Sequence, residues 1–234
     1  MSARMKNPAM ALPEATKSTV RQAHLTEGLA LTSIESVTLE VPDVTTANAF
    51  YTAAFGLGTP VRLRASEAMT AGFRGFTLSL VVSKPATVNN LIGASLDAGA
   101  TPLKPAAKSF WGYGGVVRAP DGTIWKIATP SKKDNGPATG QIDEIVLLLG
   151  VADVVASKRF YVDRGFAMAK TYFGRYVQFA APSGAVTLAL YRRGALAKDA
   201  SVSPDGTGSH RILIGSDSGP FTDPDGFEWE APVC

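Results

Sequence analysis

Two short stretches of the sequence each combine a tight turn with a residue that could do chemistry. Pro-Asp-Gly is followed by a Trp in "APDGTIWK", which ends at Lys126, and again in "DPDGFEWE", which ends at Glu230. A carboxylate such as Glu230 can bind a divalent metal ion or move a proton. An ammonium such as Lys126 repels a cation and attracts an anion or a polarised carbonyl. The two copies therefore predict different chemistry at matching positions.

Histidine is scarce in this chain, which limits the metal sites that it can build. The two histidines are His24, near the N-terminus, and His210. An open catalytic metal site needs about three convergent ligands, usually with imidazole among them. No Ser-His-Asp triad can be assembled either. We therefore predict no metal and no other cofactor, with a bound divalent ion as the alternative.

An aromatic and glycine-rich stretch favours a binding surface for a small molecule. In "KSFWGYGG", Lys108–Gly115, Trp111 and Tyr113 alternate with glycines. Glycine lets a flat ligand approach the backbone, and aromatic rings supply stacking area. The alternative is that Trp111 and Lys126 only pack on a sheet. The predicted ligand-binding residues are Trp111, Tyr113, Lys126, Tyr176, Tyr191 and Glu230. No catalytic residue can be assigned, although Glu144, Glu230, Lys126 and Tyr113 leave metal-independent acid–base catalysis open.

Composition and charge narrow the class of protein. The 234 residues are 45% hydrophobic and 18% charged, which is enough for a sizeable buried core. The net charge is only +3, without a concentrated basic run, so nucleic acid is not an expected partner. The single Cys234 cannot form an intrachain disulfide, and no apolar run has membrane-spanning length. We predict a cytoplasmic protein, away from membranes, that binds a small molecule as a monomer or homodimer.

A second repeat identifies the elements that must position these residues. "VPDVTTANAFY" runs from Val41 to Tyr51, and "VADVVASKRFY" runs from Val151 to Tyr161. Each copy follows an apolar, β-rich run, and its Asp can cap the first turn of a helix. The Phe-Tyr pair then lies on the helix face that packs on a sheet. The sequence therefore predicts a strand–helix unit at the start of each half and an Asp-Gly hairpin at its end.

These two repeats divide the chain into unequal halves. We predict an N-terminal arm or short helix over residues 1–32, a first domain over 33–129 and a second over 141–234. Residues 130–140 are rich in Pro, Gly and charge and read as a linker. The second half has room for its strands early, but "HRILIGSD" (His210–Asp217) is followed almost at once by "FTDPDGFEWEA", which leaves no room for a second helix between them. Each half is therefore expected to have lost a different part of one parent domain.

The ordered combination of motifs resembles the glyoxalase / bleomycin-resistance / extradiol-dioxygenase superfamily, also called the vicinal oxygen chelate proteins. The resemblance covers about residues 34–231 and is carried by V-x-D-x-x-x-(S/A)-x-x-F-Y and (D/A)-P-D-G-x-x-W-(E/K), each present twice. It implies an α+β fold of two tandem domains. Their βαβββ modules would form curved-sheet cups, with the helices outside.

The resemblance also implies where metal ligands would point into the cups. At or near those positions stand Ser36, Thr77, Lys126, Val146 with Glu144, Tyr191, His210 or its neighbour Arg211, and Glu230. Most of these residues cannot bind a metal ion. The resemblance therefore favours a cup without metal that binds a small aromatic or apolar molecule, as in the drug-binding branch. The alternatives are a metal-dependent lyase, hydrolase or dioxygenase using His210 and Glu230, and a structural or regulatory protein with filled cups.

Overall fold

The computed structural model describes residues 32–56, 58, 60–134, 136–172, 174–182 and 185–232, so the predicted arm lies outside it except at Thr32. The elements of the N-terminal half are β1 (Ile34–Val41), α1 (Val44–Phe55), β2 (Val61–Ala65), β3 (Thr70–Gly72), β4 (Phe76–Val81), α2 (Pro85–Asp97), β5 (Thr101–Ser109), β6 (Gly112–Arg118) and β7 (Ile124–Thr129). Those of the C-terminal half are β8 (Glu144–Val151), α3 (Val154–Val162), β9 (Met168–Tyr172), β10 (Tyr176–Phe179), β11 (Thr187–Arg192), α4 (Arg193–Asp199), β12 (Gly206–Gly208), β13 (Ile212–Ser216), β14 (Phe221–Thr222) and β15 (Glu228–Glu230).

The first helix of each half begins as the repeated motif predicts. The Asp43 carboxylate accepts a hydrogen bond from the Thr45 amide at 2.9 Å, and Asp153 does the same for the first amides of α3. Helix α1 ends at Gly56, whose φ of 61° is left-handed and suits glycine. The longest described helix, α2, has 13 residues, so none of the described helices could cross a membrane.

The larger sheet joins one complete module from each half. Its strand order is β5-β6-β7-β4-β8-β11-β10-β9, with β4 and β8 antiparallel at the centre. On either side, β7 runs parallel to β4 and β11 runs parallel to β8. The units β4-α2-β5-β6-β7 and β8-α3-β9-β10-β11 are therefore equivalent βαβββ modules, which form one curved eight-stranded sheet.

The smaller sheet joins the two reduced modules. Its order is β14-β15-β13-β1-β2, and here β1 and β13 form the central antiparallel pair. Beside β1 and β2 the two middle strands of a module are missing, while β13, β14 and β15 are not accompanied by a described helix. Each half has thus lost a different part, as expected. Both sheets combine strands of the two halves. The predicted domain bounds, 33–129 and 141–234, therefore describe the repeat in the sequence and stay a prediction.

The two closing tryptophans occupy equivalent places. Trp125 pairs with Leu78 on β4, and Trp229 pairs with Ile214 on β13, the matching strand of the other sheet. Both indoles are buried, and each packs against the tyrosine of the first helix in its half. The ring centroids are 5.6 Å apart for Tyr51 and Trp125 and 5.4 Å apart for Tyr161 and Trp229. The repeated motifs therefore build the same corner twice, around one shared core.

One helix departs from the predicted arrangement with all helices outside. Trp125 faces α1, whereas α4 packs on β8 and β11 from the opposite, concave face. Leu196 and Ala197 of α4 are buried there, and a Cβ at Gly150 would lie only 3.3 Å from the Leu196 side chain. The physical reason is the burial of apolar surface. Leu196 and Ala197 pack against Val116 and Ile124, whose side chains point into the cup.

Candidate functional site

The concave face of the eight-stranded sheet is the candidate site. Side chains alternate along β7, so Lys126 points into the cup while Trp125 points to the helices. The strand register places Lys126 beside Ser79, Ser79 beside Val146, and Val146 beside Thr187. Two of the positions implied by the resemblance, Lys126 and Val146, thus meet in one row. The row contains no carboxylate, imidazole or thiol, which are the usual protein ligands of transition metals.

The Lys126 ammonium is already engaged by the protein. Its Nζ lies 2.6 Å from Oδ2 of Asp199, at the end of α4, and Lys104 lies 3.8 Å from the other carboxylate oxygen. The side chains of Lys126 and Asp199 are 37% and 35% exposed, so water screens the pair. A ligand would therefore compete with Asp199 for this cation.

A chain of polar side chains lines the other end of the concave face. Glu144 accepts hydrogen bonds from the Thr187 hydroxyl at 2.5 Å and from the Gln178 amide at 3.5 Å. The Tyr176 hydroxyl donates to the Gln178 amide oxygen at 3.1 Å. Burial, with the nearby Glu144 and Tyr172, raises the pKa of Tyr176 to about 12. This end therefore offers a neutral phenol and a half-buried carboxylate that can accept hydrogen bonds.

Four aromatic rings form a row from the mouth of the cup toward α4. Trp111, at the tip of the β5–β6 hairpin, lies 5.8 Å from Tyr172 between ring centroids, and Tyr172 lies 5.8 Å from Tyr176. Tyr176 and Tyr191 are 6.1 Å apart. Strands β5 and β9 are the opposite edges of the sheet, so its curvature brings two distant hairpins together. We call Trp111, Tyr172, Tyr176 and Tyr191 the aromatic row.

The aromatic row unites three predicted ligand-binding residues and adds one that the sequence analysis missed. The signal for Tyr172 was available: it precedes the short turn of a hairpin and pairs directly with Tyr176, so the two rings share a face. Tyr113 lies elsewhere, because its hydroxyl donates to Asn89 of α2 on the helix side. Glu230 belongs to the five-stranded sheet. These two residues therefore face surfaces other than the aromatic row.

His210 lies outside the strands and its two ring nitrogens are engaged. Nδ1 contacts the Arg74 carbonyl oxygen and Nε2 lies 3.2 Å from the Asp225 carbonyl oxygen, while the ring stacks on Phe227 at 4.0 Å. The residue beside Glu230 in the strand register is Gly215 of β13, a strand that begins two residues after His210.

The five-stranded sheet also lacks a metal-ligand set in the row that matches Lys126, Ser79 and Val146. Its equivalent positions are Glu230, Gly215 and Ser36. Thr77 lies on β4, the first strand of a complete module in the other sheet. Within the described ranges, no group of three His, Cys, Asp or Glu side chains is arranged to hold a metal ion. That the protein uses no metal stays a prediction.

Comparison with known proteins identifies the fold. No protein-family model matches the sequence, and no curated protein matches it. Among solved structures, glyoxalase I from Zea mays is similar with a TM-score of 0.55 and 13% identity, over 85% of this chain and 91% of that chain. A variant of the maize enzyme is similar with a TM-score of 0.53 and 15% identity, over the same shares of the two chains.

A protein from Bacillus subtilis, described provisionally as a dioxygenase, is similar with a TM-score of 0.52 and 14% identity, over 79% of this chain and 70% of that chain. Identities this low establish a shared fold and leave activity open. The chain therefore has the α+β fold of glyoxalase I, a fold that its two repeated motifs predicted.

Proposed function

We propose that the protein binds a small, flat, largely apolar molecule on the concave face of its eight-stranded sheet, without a metal or other cofactor. The observation that carries this proposal is the aromatic row, because Trp111 at its outer end is 72% exposed. A large exposed ring that already contacts other rings offers stacking area to a ligand. Phe110, beside it, is 83% exposed and enlarges the apolar surface.

The polar groups beside the aromatic row favour a particular kind of ligand. Glu144 is half-buried and its Oε1 accepts two hydrogen bonds, while carboxylates have further acceptor sites. Tyr176 stays protonated at neutral pH, since its pKa is raised to about 12. A planar ring system with an N–H group at its edge would stack on the aromatic row and donate to Glu144. A carboxylate in the same position would be repelled.

A second candidate function, a structural or regulatory protein with filled cups, is favoured by α4. Leu196 and Ala197 of this helix are buried against the concave face, and Asp199 neutralises Lys126. One end of the cup is therefore occupied by the chain itself. The two functions differ in what the aromatic row does, because a filled cup needs no ligand there.

Native mass spectrometry of the purified full chain tests the proposal by detecting a retained molecule or metal ion. Titration with the neutral planar dye Nile red, followed by fluorescence, supplies a defined probe. Replacing Trp111 by Ala should weaken dye binding by about 1–3 kcal/mol if the indole stacks on it. Met69→Ala is the control, because Met69 is an 86% exposed apolar side chain outside the row. Equal affinity of the two variants, or a stoichiometric metal in the spectrum, would contradict the proposal.

A further inference from the structure

A cavity of about 390 Å³ lies where β6 and β7 meet, bounded by β3 and by the loop after α4. Its lining includes Thr70, Phe73, Arg74, Arg118, Ile124 and Val202. None of the four rings of the aromatic row lines it. The cavity is therefore a separate feature from the surface to which the proposed function is assigned.

Arg74 brings a half-buried, incompletely paired cation to this cavity. Its Nη2 donates to the Asp121 carbonyl oxygen, but its buried Nη1 has no hydrogen-bond partner among the described residues. The guanidinium lies so close to Gly122 that a Cβ there would come within 2.8 Å of Nη2. Burial lowers the pKa of Arg74, the nearby Asp121 carboxylate raises it, and the neighbouring Arg211 charge lowers it. A buried donor without an acceptor is costly, so an anion would stabilise this arrangement.

Two further donors line the same cavity. The Thr70 hydroxyl oxygen is buried and, within the described part of the chain, has no hydrogen-bond partner. Arg118 is exposed, and no described hydrogen bond or ion pair involves its side chain. The opposing charge is Asp205, which accepts a hydrogen bond from Ser203 at 2.7 Å. Two arginines against one carboxylate leave the cavity lining itself with a net positive charge, which the Asp121 carboxylate near Arg74 offsets in part.

The rest of the lining is apolar, which defines the ligand further. Phe73, Phe76 and Ile124 are buried and form a wall beside the charged groups. We propose that this cavity binds a small carboxylate with an apolar body, with the carboxylate held between Arg74 and Arg118. Arg74 would contribute the charge of its guanidinium group, because Nη2 is already engaged and Nη1 is buried. Carboxylates match the planar guanidinium group well.

Isothermal titration calorimetry of the full chain tests the class of ligand with three probes. Benzoate should bind saturably, and benzamide, which has the same shape without the charge, should bind at least about tenfold more weakly. Inorganic phosphate should also bind more weakly than benzoate, since it lacks the apolar body. No benzoate binding, or phosphate binding as tight as that of benzoate, would overturn the proposal.

Single substitutions of arginine residues test whether benzoate binds in this cavity. Arg118→Gln should weaken benzoate binding about tenfold without disturbing the fold, because the side chain is exposed. Arg192→Gln removes the same charge from an exposed position outside the cavity and should leave the affinity unchanged. Arg74→Gln should reduce binding further, and Trp111→Ala should not affect it. Unchanged affinity in Arg118→Gln would overturn the proposed site even if Arg74→Gln does not fold.

Discussion

Nζ of Lys126 and Oδ2 of Asp199 are 2.6 Å apart, so the closing strand of the N-terminal half is tied to the helix that occupies the cup. The two Pro-Asp-Gly hairpins of the chain end in Lys and in Glu. In the copy that ends at Lys126, the resemblance implies that a metal-binding glutamate would stand where the lysine is. Here a cation stands at that position, and a carboxylate of the same chain balances it.

We expect apolar burial, rather than this ion pair, to hold α4 in place. Leu196→Ala should lower the free energy of unfolding by about 2–5 kcal/mol, because the side chain is fully buried. Lys126→Met and Asp199→Asn should each cost less than about 1 kcal/mol, since both partners are about a third exposed. Urea unfolding measures all three variants. A loss in Asp199→Asn equal to that in Leu196→Ala would contradict this assignment.

The two equivalent tryptophans should respond differently to replacement by phenylalanine. The Trp125 indole N–H donates to the Tyr51 hydroxyl at 3.4 Å, whereas the buried Trp229 N–H has no partner among the described residues. Trp125→Phe should therefore destabilise the protein by about 1 kcal/mol more than Trp229→Phe. Thermal or urea unfolding of the matched pair provides the test. The reverse order would show that packing around the rings dominates.

The two capping aspartates, Asp43 and Asp153, should contribute about equally to the free energy of unfolding. Asp43→Ala and Asp153→Ala each remove a side-chain acceptor from the first turn of a helix, and each should cost about 1 kcal/mol of unfolding free energy. Asp163→Ala, at the other end of α3, is the control and should cost nothing, because a negative charge there opposes the helix dipole. Destabilisation by Asp163→Ala as large as that by Asp153→Ala would refute the capping role.

The acidity of Tyr176 gives a pH-dependent prediction. Because folding raises its pKa from 10.0 to about 12, the folded protein holds the phenolic proton more tightly than the unfolded chain. Its contribution to stability is therefore fully present below pH 10 and is lost as the pH rises through about 12. The difference in ultraviolet titration between the wild type and Tyr176→Phe isolates this phenol.

The Glu144→Gln variant separates the causes of that shift. Removing the carboxylate charge should lower the pKa of Tyr176 but leave it above 10.0, because burial is the larger cause. Glu40→Gln is a control, since Glu40 is paired with Arg64 in the other sheet. A Tyr176 pKa that Glu144→Gln leaves unchanged would contradict the electrostatic contribution.

Local signals explain why much of the fold could be predicted. Asp43 and Asp153 are N-cap residues that predict the starts of α1 and α3 from the sequence nearby, and the repeated hairpins predict the closing strands. Helix α4 was missed because it has 7 residues and its first residue is preceded by Arg192, which makes no capping hydrogen bond. It is stabilised by packing on β8 and β11 and against Val116 and Ile124, and most of these contacts join residues far apart in the sequence.

The candidate site could be predicted only where the alternation of side chains along a strand determines which face of the sheet a residue lies on. The pairing of Tyr172 with Tyr176 follows from hairpin geometry, and the inward direction of Lys126 follows from alternation with Trp125. The cavity around Arg74 was not predictable, because β3, β7 and the loop after α4 are far apart in the chain. The same holds for His210, whose Nδ1 partner is the carbonyl of Arg74.

The exchange of strands between the two halves has a consequence for how the chain reaches its native state. The central seam of each sheet joins distant parts of the chain, β4 with β8 and β1 with β13. Neither sheet can close until both halves have been synthesised, and contacts of such long sequence separation slow folding. A fragment that ended between β7 and β8 would leave the edges of β1 and β4 unpaired, and unpaired edges template aggregation. Each half therefore supplies the strands that cover the edges of the other.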